Sequence, residues 1–210
     1  MRNIILSAIA VLAFTPAVAA DPKDAFDVTN AQIQEVLKKS ASGGTIDQAL
    51  RTIDMGSYQL SVAILRRGPM KPAAIPAAPR PRAANAVACG LDAAPAGAKP
   101  GPGGMLSHDD TAETYIIIAG SGTLVTGGDI VSGSRLPLDG DVTKIMVGPT
   151  CAGATAGNTV TRKLVVGDVS VIPAGVPHGW TEIESGVTYL SIRPDPKKIL
   201  QPFVYPGLKP

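Results

Sequence analysis

The chain has 210 residues and is nearly neutral, with 19 lysines and arginines against 17 aspartates and glutamates. This balance argues against the basic face that nucleic-acid-binding proteins need, so no nucleic-acid partner is expected. The length usually corresponds to one domain with a real hydrophobic core, which argues against a second enzyme domain.

The first twenty residues have the pattern of a secretory signal peptide. Arg2 precedes an apolar run from Ile4 to Phe14, and small residues surround the expected cleavage point near Ala20. This run is too short to cross a bilayer, which takes about 20 apolar residues. We therefore expect cleavage, no stable membrane insertion, and a periplasmic or secreted location.

Residues 21–56 are predicted to form a helical N-terminal extension. Two capping boxes, each a threonine followed by glutamine three residues later, begin at Thr29 and Thr45. The apolar residues after each box recur at helical spacing: Ile33, Val36 and Leu37 in the first segment, and Ile46, Ala49, Leu50 and Ile53 in the second. Because short amphipathic helices are unstable alone, we expect them to pack on the remaining chain or against a second subunit of a homodimer.

A strand is predicted from Tyr58 to Leu65, where apolar residues alternate with polar ones. The segment 68–104 that follows contains eight prolines and many alanines and glycines. This composition predicts an extended, partly ordered insertion, either a surface loop or a cover over the mouth of a site.

Cys89 and Cys151 are the two cysteines of the chain. In an oxidising compartment such a pair is expected to form a disulfide, with two unpaired thiols as the alternative.

The region from Met105 to Arg193 is predicted to be strand and turn, because turn residues recur every eight to twelve positions. Trp180 follows both cysteines, which does not match the Cys-Trp-Cys order of immunoglobulin domains. The predicted fold class is therefore all-β, with a barrel at residues 57–193. The proline-containing tail, 194–210, is expected to wrap the outside.

A motif near the C-terminus resembles the second motif of the cupin superfamily. In cupins it reads Gly, five residues, Pro, one residue, Gly, two residues, His. This chain has Gly167, Pro173, Gly175 and His178 at those places. A cupin often has Asn four residues after the histidine, where this chain has Glu182.

The first cupin motif is matched in part, since His108, Glu113 and Gly120 occupy its later places. Leu106 stands where its first histidine is customary, so one of four usual ligands is absent. The resemblance covers roughly Met105 to Arg193 and implies a cupin-like jelly-roll β-barrel.

The ligand set that the resemblance implies is His108, Glu113 and His178. Two imidazoles and one carboxylate can hold a divalent Fe, Mn, Zn or Ni ion at an open site. His108 and Glu113 are five residues apart, so one unbroken strand would place them on opposite faces. A bend is therefore expected at the polar residues 109–111.

Further inward-facing residues follow from strand alternation in such a barrel. Tyr115, Ile117, Trp180 and Glu182 are expected beside the ligands, in a pocket with apolar walls. Glu182 is the candidate catalytic acid or base.

Three functions remain open, because this fold serves several. One is a metal-dependent enzyme, dioxygenase-like or lyase/isomerase-like, acting on a small-molecule substrate. Another is a metal-free cupin that binds a small ligand, with Leu106 as the sign of lost catalysis. The third is a structural or assembly protein that dimerises through the helices and segment 68–104. The sequence has no Walker, Rossmann, G-x-S-x-G or HExxH motif, which argues against nucleotide and serine-hydrolase chemistry.

Overall fold

The computed structural model describes residues 25–39, 46–75, 77 and 81–208. The proposed signal peptide at residues 1–20 lies outside this part of the chain. Among the described residues, no helix is long and apolar enough to span a bilayer.

Strands dominate the described residues, which confirms the all-β prediction. The elements in chain order are α1 Asn30–Lys39, β1 Ile46–Asp54, β2 Gln59–Arg67, β3 Ala88–Cys89, β4 Met105–His108, β5 Glu113–Arg135, a π-helical segment Val142–Val147, β6 Thr150–Val165, β7 Val169–Ile172, β8 His178–Asp195 and β9 Phe203–Val204.

Four strands close on one another into an antiparallel ring. β5 pairs with β6, β6 with β4, β4 with β8, and β8 returns to β5. β8 also pairs along its second half with β2, from which β1 and β9 continue the sheet. β7 pairs with the start of β5. β8 therefore joins the ring to the N-terminal strands.

The long strand β5 changes partner from β8 to β6 at Gly120. Gly120 lies in the left-handed region, with φ of 70°. A Cβ atom here would lie 2.0 Å from the carbonyl oxygen of Gly186, so only glycine permits this approach of the two strands. The glycine of the first motif is therefore a structural residue.

Helix α1 begins at the predicted capping box. The backbone N–H of Thr29 donates to Gln32 Oε1 at 2.9 Å, and that of Gln32 donates to Thr29 Oγ1 at 3.2 Å. The apolar face of α1 packs with Leu50, Ile64 and Leu208 in a cluster outside the barrel. The first of the two predicted helices is therefore present, at Asn30–Lys39.

Replacing Thr29 with alanine is expected to destabilise the protein by about 1 kcal/mol, because the helix loses its N-cap acceptor. Chemical denaturation followed by circular dichroism measures the change. Thr29→Ser keeps the hydroxyl and serves as the control, and an alanine variant as stable as the serine variant would contradict the role of the cap.

The second predicted helix is wrong, since Ile46–Asp54 forms strand β1 between β2 and β9. A register shift between Ala49 and Arg51 leaves Leu50 as an extra residue in the pairing with β2. The four neighbouring residues 49–52 are all buried. This breaks the strict alternation of a strand and imitates helical spacing.

The described residues of segment 68–104 contain little regular secondary structure. β3 within it pairs with β5, and isolated bridges join Met70 to Ile183, Leu91 to Val131 and Pro100 to Ala156. The tail begins later than predicted, because Pro194 and Asp195 still belong to β8 and pair with β2. Residues 203–204 then form β9 at the outer edge of β1.

Cys89 and Cys151 form the expected disulfide, which joins β3 to β6. It attaches the segment 68–104 covalently to the barrel.

Candidate metal centre

His108, Glu113 and His178 converge on the inner face of the barrel. Glu113 Oε2 lies 3.7 Å from His108 Nε2 and 3.1 Å from His178 Nε2. The side chains are almost fully buried, with exposed fractions of 3%, 2% and 4%. The structure therefore brings together the three residues that the motif resemblance groups.

The chain between the two halves of the first motif turns where a bend is expected. β4 ends at His108 and β5 begins at Glu113, so residues 109–112 separate two strands. This break lets both side chains face inward despite their odd spacing. His178 begins β8 and pairs with Leu106 of β4, which places the second histidine on the neighbouring strand.

Both imidazole rings are oriented through their Nδ1 atoms. His108 Nδ1 lies 2.8 Å from Thr150 Oγ1, and the hydroxyl of Thr150 donates to the Gly148 carbonyl oxygen at 2.9 Å. Because that hydroxyl hydrogen is committed, Thr150 accepts from His108. His178 Nδ1 lies 2.9 Å from the Val176 carbonyl oxygen, which can only accept. Each neutral ring therefore carries its hydrogen on Nδ1 and presents a lone pair at Nε2.

The three atoms that meet between His108, Glu113 and His178 are suited to bind a cation. In the neutral tautomers, the Nε2 lone pairs of both histidines face the same carboxylate oxygen of Glu113. Three acceptors repel one another unless a proton or a metal ion lies between them. Burial lowers the pKa of His108 and so disfavours a proton on that ring, despite the opposing attraction of Glu113. A divalent ion would satisfy all three atoms, and histidines with an occupied Nδ1 are typical of metal ligands.

Glu113 keeps its negative charge although it is buried. Its Oε1 accepts from Arg193 Nε at 2.5 Å and from Ser191 Oγ at 3.2 Å, while Oε2 accepts from the Tyr115 hydroxyl at 2.6 Å. Burial alone would raise the pKa of Glu113, but the positive charge of Arg193 holds it well below its ordinary value. Burial and the Glu113 charge raise the pKa of Tyr115 well above its ordinary value, so the phenol stays a donor.

Arg193, which the sequence analysis missed, anchors this carboxylate. Its side chain is 1% exposed and also contacts Asp47, with Nη2 lying 3.2 Å and 3.4 Å from the two carboxylate oxygens. Nη1 donates to the Met146 carbonyl oxygen at 2.9 Å. β5 and β8 pair from Thr114 opposite Ile192. Glu113 and Arg193 are the next residues of the two strands, so the strand register brings the ion pair together.

A cavity of about 160 Å³ adjoins the three residues. Its walls are Asp47, Leu65, Arg67, Met70, Gly104, Leu106, His108, Glu113, Tyr115, Val147, His178, Gly179, Trp180 and Arg193. Tyr115 and Trp180 line the cavity as predicted, and Leu106 adds an apolar wall. Ile117 lies in the barrel core and does not line the cavity. Met70 and Gly104 come from the ends of segment 68–104, so this segment contributes to the cavity.

Glu182 does not line this cavity, in contrast to the sequence hypothesis. Trp180 and Ile183 are both buried in the barrel core, so the inward alternation breaks between them. Glu182 is only partly buried as a result. Its position does not support the proposed catalytic role.

Comparisons with known proteins add structural likeness only. No family model and no curated protein matches this chain. A formate complex of oxalate decarboxylase from Lactobacillus farciminis is 15% identical with a TM-score of 0.33, and the match covers 75% of this chain. It spans only 32% of the decarboxylase chain.

Two other solved structures resemble the chain to a similar degree. A protein from Bacillus halodurans is 12% identical, with coverage of 83% of this chain and 84% of that chain, and a TM-score of 0.37. The cupin domain of Drosophila melanogaster CENP-C is 9% identical, with coverage of 75% and 79% and a TM-score of 0.31.

The fold is evident from the strand order of the chain and from the positions of the two motifs. Its antiparallel ring is closed, and the residues of both motifs meet on the inner face. The protein has a cupin-like, jelly-roll β-barrel fold.

Proposed function

We propose that this protein binds a divalent metal ion, Fe, Mn, Zn or Ni, through His108, Glu113 and His178. The observation that carries the proposal is the convergence of two Nε2 lone pairs and one carboxylate oxygen at a buried point. Each ring is held in the ligand tautomer by an acceptor at Nδ1.

We further propose that the protein is a metal-dependent enzyme, dioxygenase-like or lyase/isomerase-like, that acts on a small molecule. Two histidines and one carboxylate leave coordination positions open, and a bound ion would polarise a substrate oxygen or activate an oxygen species. Arg193 and Ser191 hold Oε1 of Glu113, so that Oε2 is the oxygen turned toward the histidines. Leu106 and Trp180 supply apolar walls to the cavity.

A metal-free protein that binds a small ligand is the alternative function. Leu106 favours it, because an apolar side chain lines the cavity where cupins customarily have a fourth ligand. A measurement of bound metal distinguishes the metal-dependent enzyme from the metal-free binding protein.

A periplasmic or secreted location belongs to the same proposal. The disulfide between Cys89 and Cys151 supports it, since such bonds persist in oxidising compartments.

The test is the metal content of the protein purified without a polyhistidine tag, measured by mass spectrometry after reconstitution with each of the four ions. We expect about one ion per chain in the wild type and loss of that ion in His178→Ala. Glu182→Gln, outside the cavity, is the matched control and should keep the metal. Circular dichroism establishes that each variant is folded. A folded wild type without metal would overturn the proposal and favour the metal-free alternative.

Thr150→Val is expected to weaken metal binding about 10- to 100-fold, because His108 loses the partner that orients its ring. Competition with a chelator of known affinity measures the change. Thr150→Ser keeps the hydroxyl and should bind as the wild type does. Equal metal affinities of the valine and serine variants would contradict the orienting role of Thr150.

A further inference from the structure

A second arginine, Arg67, lines the cavity beside the candidate metal centre. It ends β2 on the same face as Leu65, which also lines the cavity, as the alternation of a strand requires. The side chain is partly buried, so its charge is partly withdrawn from water.

The contacts of Arg67 leave much of its guanidinium available to a ligand. Its Nε donates to the Tyr189 hydroxyl at 3.2 Å, and this oxygen also accepts from Trp180 Nε1 at 3.0 Å. Within the described part of the chain, no carboxylate oxygen lies within 4.0 Å of an Arg67 nitrogen. Arg193, by contrast, is fully engaged by Glu113, Asp47 and the Met146 carbonyl.

The charge of the cavity walls indicates the charge of the ligand. Asp47 and Glu113 balance Arg67 and Arg193 among the lining residues, while the histidines are neutral as metal ligands. A divalent ion would therefore leave the cavity with an excess of two positive charges. A buried excess of this size is stabilised by an anionic ligand.

The size of the cavity limits that ligand. Its volume of about 160 Å³ is close to the roughly 150 Å³ that holds a benzene molecule, which has about six non-hydrogen atoms. A carboxylate on a molecule of this size offers two parallel oxygens to the planar fork of a guanidinium.

We propose that the cavity takes a small carboxylic acid of about six non-hydrogen atoms, whose carboxylate pairs with Arg67. The proposal rests on the proposed metal centre for the excess positive charge. Arg67 is then a binding residue that selects the charge of the ligand.

Lactate and lactamide are suitable probes, because they have equal numbers of non-hydrogen atoms and differ in charge. Calorimetric titration of the metal-loaded protein should give tighter binding of lactate. Arg67→Gln should weaken lactate binding about 10- to 100-fold, since it removes charge-assisted hydrogen bonds, and should weaken lactamide binding much less. Arg67→Lys, which keeps the charge but not the planar fork, should give an intermediate loss.

Metal content is measured on the same samples, so the two proposals fail separately. A wild type without metal overturns the proposed metal centre. Equal lactate affinity in the wild type and Arg67→Gln, or no preference for lactate over lactamide in the wild type, overturns the role of Arg67. Thermal unfolding checks that Arg67→Gln is folded. If that variant does not fold, the lactate affinity of Arg67→Lys is compared with that of the wild type instead.

Discussion

Replacing Arg193 with methionine is expected to lower the free energy of unfolding by about 3–5 kcal/mol at neutral pH. The guanidinium is the cationic partner of Glu113, and both side chains are at most 2% exposed. The variant would leave the Glu113 carboxylate desolvated and uncompensated. Asp47, which is 24% exposed, would lose the same partner at lower cost because water reaches it.

This loss of stability should shrink as the pH falls. In the wild type the pKa of Glu113 lies well below its ordinary value, so its contribution is present above the pKa of the unfolded chain. It is lost as the pH falls through the folded pKa. Without Arg193, burial is no longer offset and raises the folded pKa of Glu113, so protonation relieves the variant. The two proteins should therefore approach each other in stability at acid pH.

Urea unfolding of metal-stripped protein at pH 7 and pH 4 measures both effects, since stripping removes stabilisation by bound metal. Arg193→Met in a Glu113→Gln background is the matched control. It should cost less than Arg193→Met alone, because no buried charge is left behind. If Arg193→Met unfolds with the wild-type midpoint at pH 7, the ion pair does not stabilise the fold.

Removing the disulfide between Cys89 and Cys151 is expected to lower the free energy of unfolding by about 4 kcal/mol, according to the chain-entropy model. The two cysteines are 62 residues apart, so the bond closes a long loop and restricts the unfolded chain strongly. It also fastens β3 to the barrel, although β3 has only two residues paired with β5.

The double variant Cys89→Ala/Cys151→Ala and the reduced wild type should lose similar amounts of stability in urea unfolding. The variant should be insensitive to reductant, which controls for effects of the reductant itself. A loss below about 1 kcal/mol in both proteins would contradict the expected contribution.

The features that could be predicted from sequence depend on short spacings. The capping box at Thr29 and Gln32, the break between His108 and Glu113, and the approach to His178 are each set within a few residues. Local spacing and motif resemblance together were enough to group the three candidate ligands.

The errors arise where a strand departs from regular alternation. β1 has a bulge at Leu50, and the four neighbouring residues 49–52 are all buried, which imitates a helix. The same kind of break between Trp180 and Ile183 moves Glu182 away from the cavity. Pairing with neighbouring strands decides such irregularities, and a single segment does not contain that information.

The charged residues around the candidate centre could not be predicted for a different reason. Arg193 meets Glu113 across 80 positions and Asp47 across 146, so only the strand pairing brings them together. One local signal was available, because Arg193 follows Tyr189 and Ser191 at the same alternation. Arg67 has the same signal after Leu65. A basic residue that continues an inward-facing row indicates a buried partner or a ligand.

The place of β8 in the ring sets the order in which the candidate centre can be assembled during synthesis. β8 supplies both His178 and Arg193. His178 follows His108 by 70 residues and Glu113 by 65, and Arg193 follows Glu113 by 80. A nascent chain that ends before β8 has one histidine and a carboxylate without its counter-ion. The proposed metal ion would therefore be taken up only when the barrel closes, from the ions of the compartment in which folding is completed.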